Sequence, residues 1–388
     1  MTAVGDLLVE FKEKPGKGDE PPILTLTERN GFVRQADRFN KRLATEDVSN
    51  YKVVRRNDIA FNPYLLWAGA VAQNTIVDKG IISPLYPTFR VRDDHDPRYV
   101  ARLLLTPQLI SAYDSIAFGS VPRRRRSSVN DFLALPLAKV PPLPEQRRIA
   151  AILDHADALR AKRRQVLTHL DALTQVVFHD MFGDLRGGRW DRVPFGELIP
   201  RVDNGTSPNC EARPAGSDEW AVLKLGAVTY GHFRPEENKA YLGDLGSMAS
   251  NEVRSGDVLM TRKNTRELVG AVALVDEVRP QLLLPDLIFR LHLDGARLNR
   301  RYFQALMMNP QKRPAVRDLS SGSASSMPNI SKARLAKLPL ELPPLALQRE
   351  FAVRVELIGG QRARVEAASA VDDTLFASLQ TRAFRGDL

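Results

Sequence analysis

Apolar residues recur every three or four positions from Ile149 onward: Ile152, Ala156 and Leu159, then Val166, Leu170, Leu173 and Val177, with only Arg163 breaking the series. That spacing predicts one helix from Glu145 to Phe182 with a heptad seam along one side. At about 1.5 Å per residue it would be ~57 Å long. A helix of that length needs a partner along its stripe. Phe351, Val355, Ile358, Val365, Leu375 and Leu379 supply one at compatible spacing. Gly359-Gly360 falls inside this second run, and a glycine costs about 1 kcal/mol in a helix interior, so a local kink is expected there. Prolines before each helix fix its start, because proline is tolerated in the first turn and not later. Gly183-Asp184 and Arg186-Gly187-Gly188 break the first helix before Trp190.

The two helices are copies. PPLPEQRRIAAILDHADALRAKRR (Pro141 to Arg164) returns as PPLALQREFAVRVELIGGQRAR (Pro343 to Arg364). Shifting the chain by roughly two hundred residues aligns further landmarks in order. Asn57-Asp58-Ile59-Ala60-Phe61 answers Gly256-Asp257-Val258-Leu259-Met260, and Gly69-Ala70-Val71-Ala72 answers Gly270-Ala271-Val272-Ala273. Phe89-Arg90 answers Phe289-Arg290, Gly119-Ser120 answers Gly322-Ser323, Leu135-Pro136-Leu137 answers Leu338-Pro339-Leu340, and Phe182-Gly183-Asp184 matches Phe384-Arg385-Gly386-Asp387 with one insertion. The chain therefore reads as a tandem duplication of class α+β: two similar mixed α/β domains separated by two long antiparallel helices forming a coiled coil. The expected shape is a dumbbell; the other reading makes the helices a shared core. Apolar residues off the seam, Leu153, Leu167 and Phe178, suit either a partner subunit or the chain's own heads.

A length of 388 residues fits two domains. A hydrophobic share of 43% with 26% charged residues describes a globular protein. No apolar run approaches the ~20 residues that span a bilayer, and MTAVGDLLVEFKEKPG lacks the pattern of a secretory signal, so a cytoplasmic location is expected. The single Cys210 can form neither an internal disulfide nor a thiolate metal cage. A net charge of +10 favours a polyanionic partner, against the plainer reading of a basic solvated surface.

Reading DNA requires side chains that offer paired donors or acceptors to base edges, held in register by phosphate contacts. The turn Thr261-Arg262-Lys263-Asn264-Thr265-Arg266 carries that mixture, and its counterpart holds Asn62, Tyr64 and Trp67 with less charge. Either turn could instead be an ordinary surface loop capped by asparagine or threonine. Arg123-Arg124-Arg125-Arg126 forms four adjacent cations, a candidate phosphate track; the matching place in the second half holds Ser323, Ser326 and Asn329. Lys224 joins this set. Catalytic signatures are missing. Asn62-Pro63-Tyr64 lacks the second proline of the amino-methyltransferase motif, and no glycine-rich loop for S-adenosylmethionine precedes it. Pro285-Asp286 is not followed by Glu-x-Lys, and there is no Walker loop. His155, His169 and His179 do not stack as metal ligands. No cofactor, metal or catalytic residue is expected.

The spacer run Pro141 to Arg164 and the ending FASLQTRAFRGDL resemble the conserved helices of specificity subunits of type I restriction-modification systems. LKLGAVTYGHF (Leu223 to Phe233) and MTRKNTRELVGAVALV (Met260 to Val275) look like parts of their target recognition domains. The resemblance covers essentially the whole chain, with Leu347 standing where the first copy has Glu145. It implies recognition domains at 1–140 and 185–342, the proline step and central helix at 141–184, and a C-terminal helix at 343–388. It also implies a non-catalytic subunit that binds double-stranded DNA, each recognition domain reading half of an interrupted target while the helices set the gap. The partners it implies are two modification (methyltransferase) subunits and restriction (motor-nuclease) subunits, with no membrane. A self-contained DNA methyltransferase or nuclease, and a coiled-coil protein that never touches DNA, are the competing readings.

Overall fold

A computed structural model describes residues 2–16, 18, 21–28, 30–38, 47–119, 125–321 and 327–388. The chain divides into two compact units: 1–164 with 368–388, and 165–367.

Both units are built around a four-stranded antiparallel sheet of the same order. In the first the strands run Leu8–Phe11, Thr88–Val91, Ile59–Phe61, Val71–Gln73. In the second they run Arg201–Asn204, Ile288–His292, Val258–Thr261, Val272–Leu274. The register repeats as well: Phe61 faces Val71 and Met260 faces Val272 across the matching hairpin. The turn that opens each central strand is also duplicated. Asn57 and Gly256 both take positive φ, at 74° and 94°, a conformation that glycine and asparagine tolerate best. Asp58 then accepts the Arg55 N–H at 2.6 Å, and Asp257 accepts the Arg254 N–H at 2.9 Å.

The two long helices span Leu143–Phe182 and Leu345–Arg385, 40 and 41 residues. Gly359 and Gly360 lie within one continuous helical span. A Cβ on either glycine would meet no neighbour within 4 Å.

Each unit takes the start of one helix and the end of the other, side by side and running in opposite directions. In the first unit Ile149, Ala150 and Leu153 share a core with Phe376, Leu379 and Ala383. In the second Phe178, Met181 and Phe182 share one with Phe351 and Val355. Leu153 and Phe178 are fully buried against their own heads. The aromatic contacts repeat too: Tyr99 meets Phe384 at 5.4 Å between ring centroids, and Tyr302 meets Phe182 at 4.8 Å. Within each unit the helices are also joined by charge. Arg163, which breaks the apolar series, pairs with Asp372, and Arg160 pairs with Asp373 at 2.6 Å; in the second unit Arg362 pairs with Asp171 at 2.8 Å. Leu159, Val166 and Leu173 of the seam are exposed at their sites.

Buried glutamines lock each helix start to its head. Gln146 accepts the N–H of Asp96 at 2.9 Å and donates to the Pro141 carbonyl at 2.8 Å. Gln348 accepts the N–H of Asn299 and donates to the Pro343 carbonyl, both at 2.8 Å. Asp96 and Asn299 in turn cap the helices Pro97–Leu103 and Arg300–Met308. Burying a polar side chain is tolerated when its donors and acceptors are met in this way.

Candidate nucleic-acid interface

In the second unit the turn after Val258–Thr261 begins with Arg262, whose N–H donates to the Leu287 carbonyl at 2.9 Å. Its guanidinium donates to Asn329 Oδ1 at 3.1 Å and lies 5.7 Å from the centre of the Phe289 ring. Asn264 is buried: Oδ1 accepts the Thr265 N–H at 2.8 Å and Nδ2 donates to Thr229 Oγ1 at 3.1 Å. The asparagine therefore shapes the turn, leaving Lys263, Thr265 and Arg266 exposed. Arg266 lies 3.6 Å from Asp318, both about three-quarters exposed at 75% and 72%, a pair too solvated to hold the cation strongly. The turn closes at Gly270, φ 75°, where a Cβ would sit 2.4 Å from Val316 Cγ1.

A short hairpin of Ser320–Ser321 and Asn329–Ile330 flanks this turn. The Ile330 N–H donates to the Arg262 carbonyl at 3.0 Å, and the Asn264 N–H donates to the Pro328 carbonyl at 3.3 Å. Through Thr229 the turn also meets the segment that starts at Lys224, whose ammonium lies 3.9 Å from Glu237.

The first unit repeats the arrangement with different side chains. Asn62 is buried, accepts the Tyr64 N–H at 3.0 Å and donates to the Tyr86 hydroxyl at 3.4 Å. Half-buried Trp67 donates its indole N–H to the Tyr64 carbonyl at 2.9 Å. Tyr64 is exposed, with the Arg126 guanidinium 5.8 Å from its ring centre, within cation–π range. The Ser127 N–H donates to the Pro63 carbonyl at 2.9 Å, tying a short antiparallel pair of Ala117–Phe118 and Arg126–Ser127 to the turn as the hairpin is tied in the second unit. Arg125 is held by the Asp114 carboxylate and the Ala117 carbonyl. Arg123, Arg124, Ser323 and Ser326 lie outside the described residues.

Below each sheet a paired arginine and aspartate recurs. Arg290 reaches Asp257 at 3.0 Å and Arg90 reaches Asp58 at 3.9 Å. Burial pushes the Asp58 carboxyl above its usual range, opposed by the Arg55 N–H and the charge of Arg90. Two further features were not singled out from sequence. Exposed Tyr230 carries Arg234 over its ring at 4.8 Å, within the recognised segment Leu223 to Phe233. The glutamine locks were legible as an identical residue in both copies of the proline step. Among the described residues no group of three or more His, Cys, Asp or Glu side chains could hold a metal ion, and no helix is long and apolar enough to cross a membrane.

The fold of the chain matches that of solved subunits of type I restriction-modification systems. The S subunit of M. genitalium superposes with a TM-score of 0.60 at 12% identity, covering 98% of this chain and 95% of its own. A chain from a structure on complex assembly and conformational transition of the type I R-M system gives 0.55 at 17% identity, covering 100% and 97%. No protein-family model matches the chain. In sequence, 171 residues are 33% identical to the type I restriction enzyme EcoEI specificity subunit of Escherichia coli, 44% of this chain and 28% of that relative's length. The chain thus shares its fold with these solved subunits and has sequence likeness to one type I specificity subunit over those 171 residues.

Proposed function

We propose that this protein is the DNA-reading subunit of a type I restriction-modification complex, and that it makes and breaks no covalent bonds itself. The observation that carries this reading is the repeated platform of turn plus hairpin, one per unit, with exposed Lys263, Thr265 and Arg266 in one copy and Tyr64 with Arg126 in the other. Cations and hydrogen-bonding side chains on a tethered turn suit groove and phosphate contact. Each platform reads one half of a bipartite site in double-stranded DNA. Asn62 and Asn264 serve by shaping the turns, and Arg123, Arg124, Ser323 and Ser326 are further DNA-contacting residues of this reading. Exposed Val353, Leu357, Val371 and Leu375 on the second long helix offer apolar anchors to two methyltransferase subunits, and motor-nuclease subunits join that complex. The protein works in the cytoplasm.

Mapping methylated sites in the host genome tests this. The wild-type complex should methylate a bipartite motif, and replacing Lys263 and Arg266 with alanine should relax or abolish one half only. A methylation pattern that survives this change intact refutes the assignment of the turn. The purified chain alone, given S-adenosylmethionine and magnesium, should leave duplex DNA unchanged; modification by the isolated chain refutes the non-catalytic role.

A further inference from the structure

Beneath the turn of the second unit lies the short helix Arg313–Asp318. Arg313 is 8% exposed, and its Nη2 donates to the carbonyls of Glu267 at 3.1 Å and Val269 at 2.7 Å. No backbone N–H of the described residues donates to either carbonyl. Arg317, one turn further, donates to the Glu267 carbonyl at 3.4 Å and pairs with its carboxylate at 2.7 Å. Among the described residues no carboxylate pairs with Arg313, and its Nη1 has no partner. Burying a guanidinium without an anion is costly, so its presence asks for a reason other than packing.

The repeat isolates that reason. Thr106-Pro107, at the entry of the helix Pro107–Ser115, answers Asn309-Pro310, in the turn just before the helix Arg313–Asp318, which sets Ile110 opposite Arg313. Ile110 is partly buried in the first core, with Cδ1 3.6 Å from where a Cβ on Gly69 would sit. A hydrocarbon therefore suffices under the first turn. Under the second, the arginine adds two hydrogen bonds to the backbone that follows Lys263, Thr265 and Arg266.

We propose that Arg313 is a positioning residue that fixes the backbone of this turn, so that fidelity at the second unit's half-site, and not at the first unit's, depends on it. This rests on the DNA-reading function above. The test uses the full chain assembled with its methyltransferase subunits, comparing Arg313→Met and Arg313→Lys by genome-wide methylation mapping. Arg313→Met should weaken base discrimination roughly tenfold in one half-site, the scale of one mis-set base contact, with the other half and the gap unchanged. Arg313→Lys, which keeps a cation and a donor, should recover part of it. Unchanged discrimination, or equal relaxation in both halves, overturns the proposal. If Arg313→Met does not fold, hydrogen exchange on the Arg313→Lys chain decides: faster exchange confined to residues 262–270 supports the proposal, and unchanged exchange there refutes it. If the wild-type complex methylates no bipartite motif, the DNA-reading function fails, while hydrogen exchange still judges whether Arg313 holds the turn.

Discussion

Gln348 is the residue whose loss should be felt most directly, because its amide is fully buried and answers three backbone groups, the N–H of Asn299 and the carbonyls of Pro343 and Arg297. Replacing it with alanine strands those groups and should cost roughly 1–3 kcal/mol, read by denaturant unfolding. No loss of stability would show that water takes over the bonds. Asp96 makes a different prediction, since asparagine holds its place in the other unit. Burial pushes the Asp96 carboxyl up, but hydrogen bonds from the Arg98 side chain and the Tyr99 N–H prevail and hold it below the usual carboxylate range. A carboxyl lowered by folding contributes stability that is present above its unfolded pKa of about 3.9 and is lost as pH falls through the lower folded value. Asp96→Asn keeps the cap and lacks that titration. The wild type should therefore exceed the variant in stability at pH 7, with the gap shrinking on acidification; a gap that is constant with pH would remove the carboxylate from the account.

Among the elements, the second long helix tolerates Gly359-Gly360 without breaking, although neither glycine has a positive φ or a crowded Cβ position. Alanine at both positions should thus stabilise the isolated chain by about 1 kcal/mol per site. Unfolding should move to higher denaturant with unchanged slope. If the same variant assembles poorly with the proposed methyltransferase subunits, the glycines leave room for a partner rather than for this chain. The middle of the helix pair is also more polar than a heptad pattern suggests, since Arg160, Arg163 and Arg362 take carboxylates from the facing helix. Half-exposed pairs of this kind still face solvent and add modest stability, but they penalise wrong register, because a shift sets like charges together.

For the molecule as a whole, the prediction concerns the spacing of the half-sites. On the proposed DNA-reading function, a matched insertion of seven residues, two turns at about 3.6 residues each, in both long helices should widen the gap in the methylated motif while leaving each half-site intact. An unchanged gap would mean that the helices do not set it. Matched lengths are required because each unit is closed by the start of one helix and the end of the other, so lengthening one alone would misplace an aromatic contact such as Tyr99 with Phe384.

The sequence by itself determined the helix spans, the duplication and the turns to examine, because periodicity, proline, glycine and internal repetition act over neighbouring residues or identical copies. It could not say that Asn62 and Asn264 turn inward, that Asp114 already holds Arg125, or that Leu153 and Phe178 face the heads. Those outcomes depend on which groups meet after folding, and a buried polar side chain takes whatever partner the tertiary contacts bring within hydrogen-bonding distance. The same reason hid Arg313: nothing local distinguishes a solvated arginine from one that holds two carbonyls 44 and 46 positions earlier in the chain.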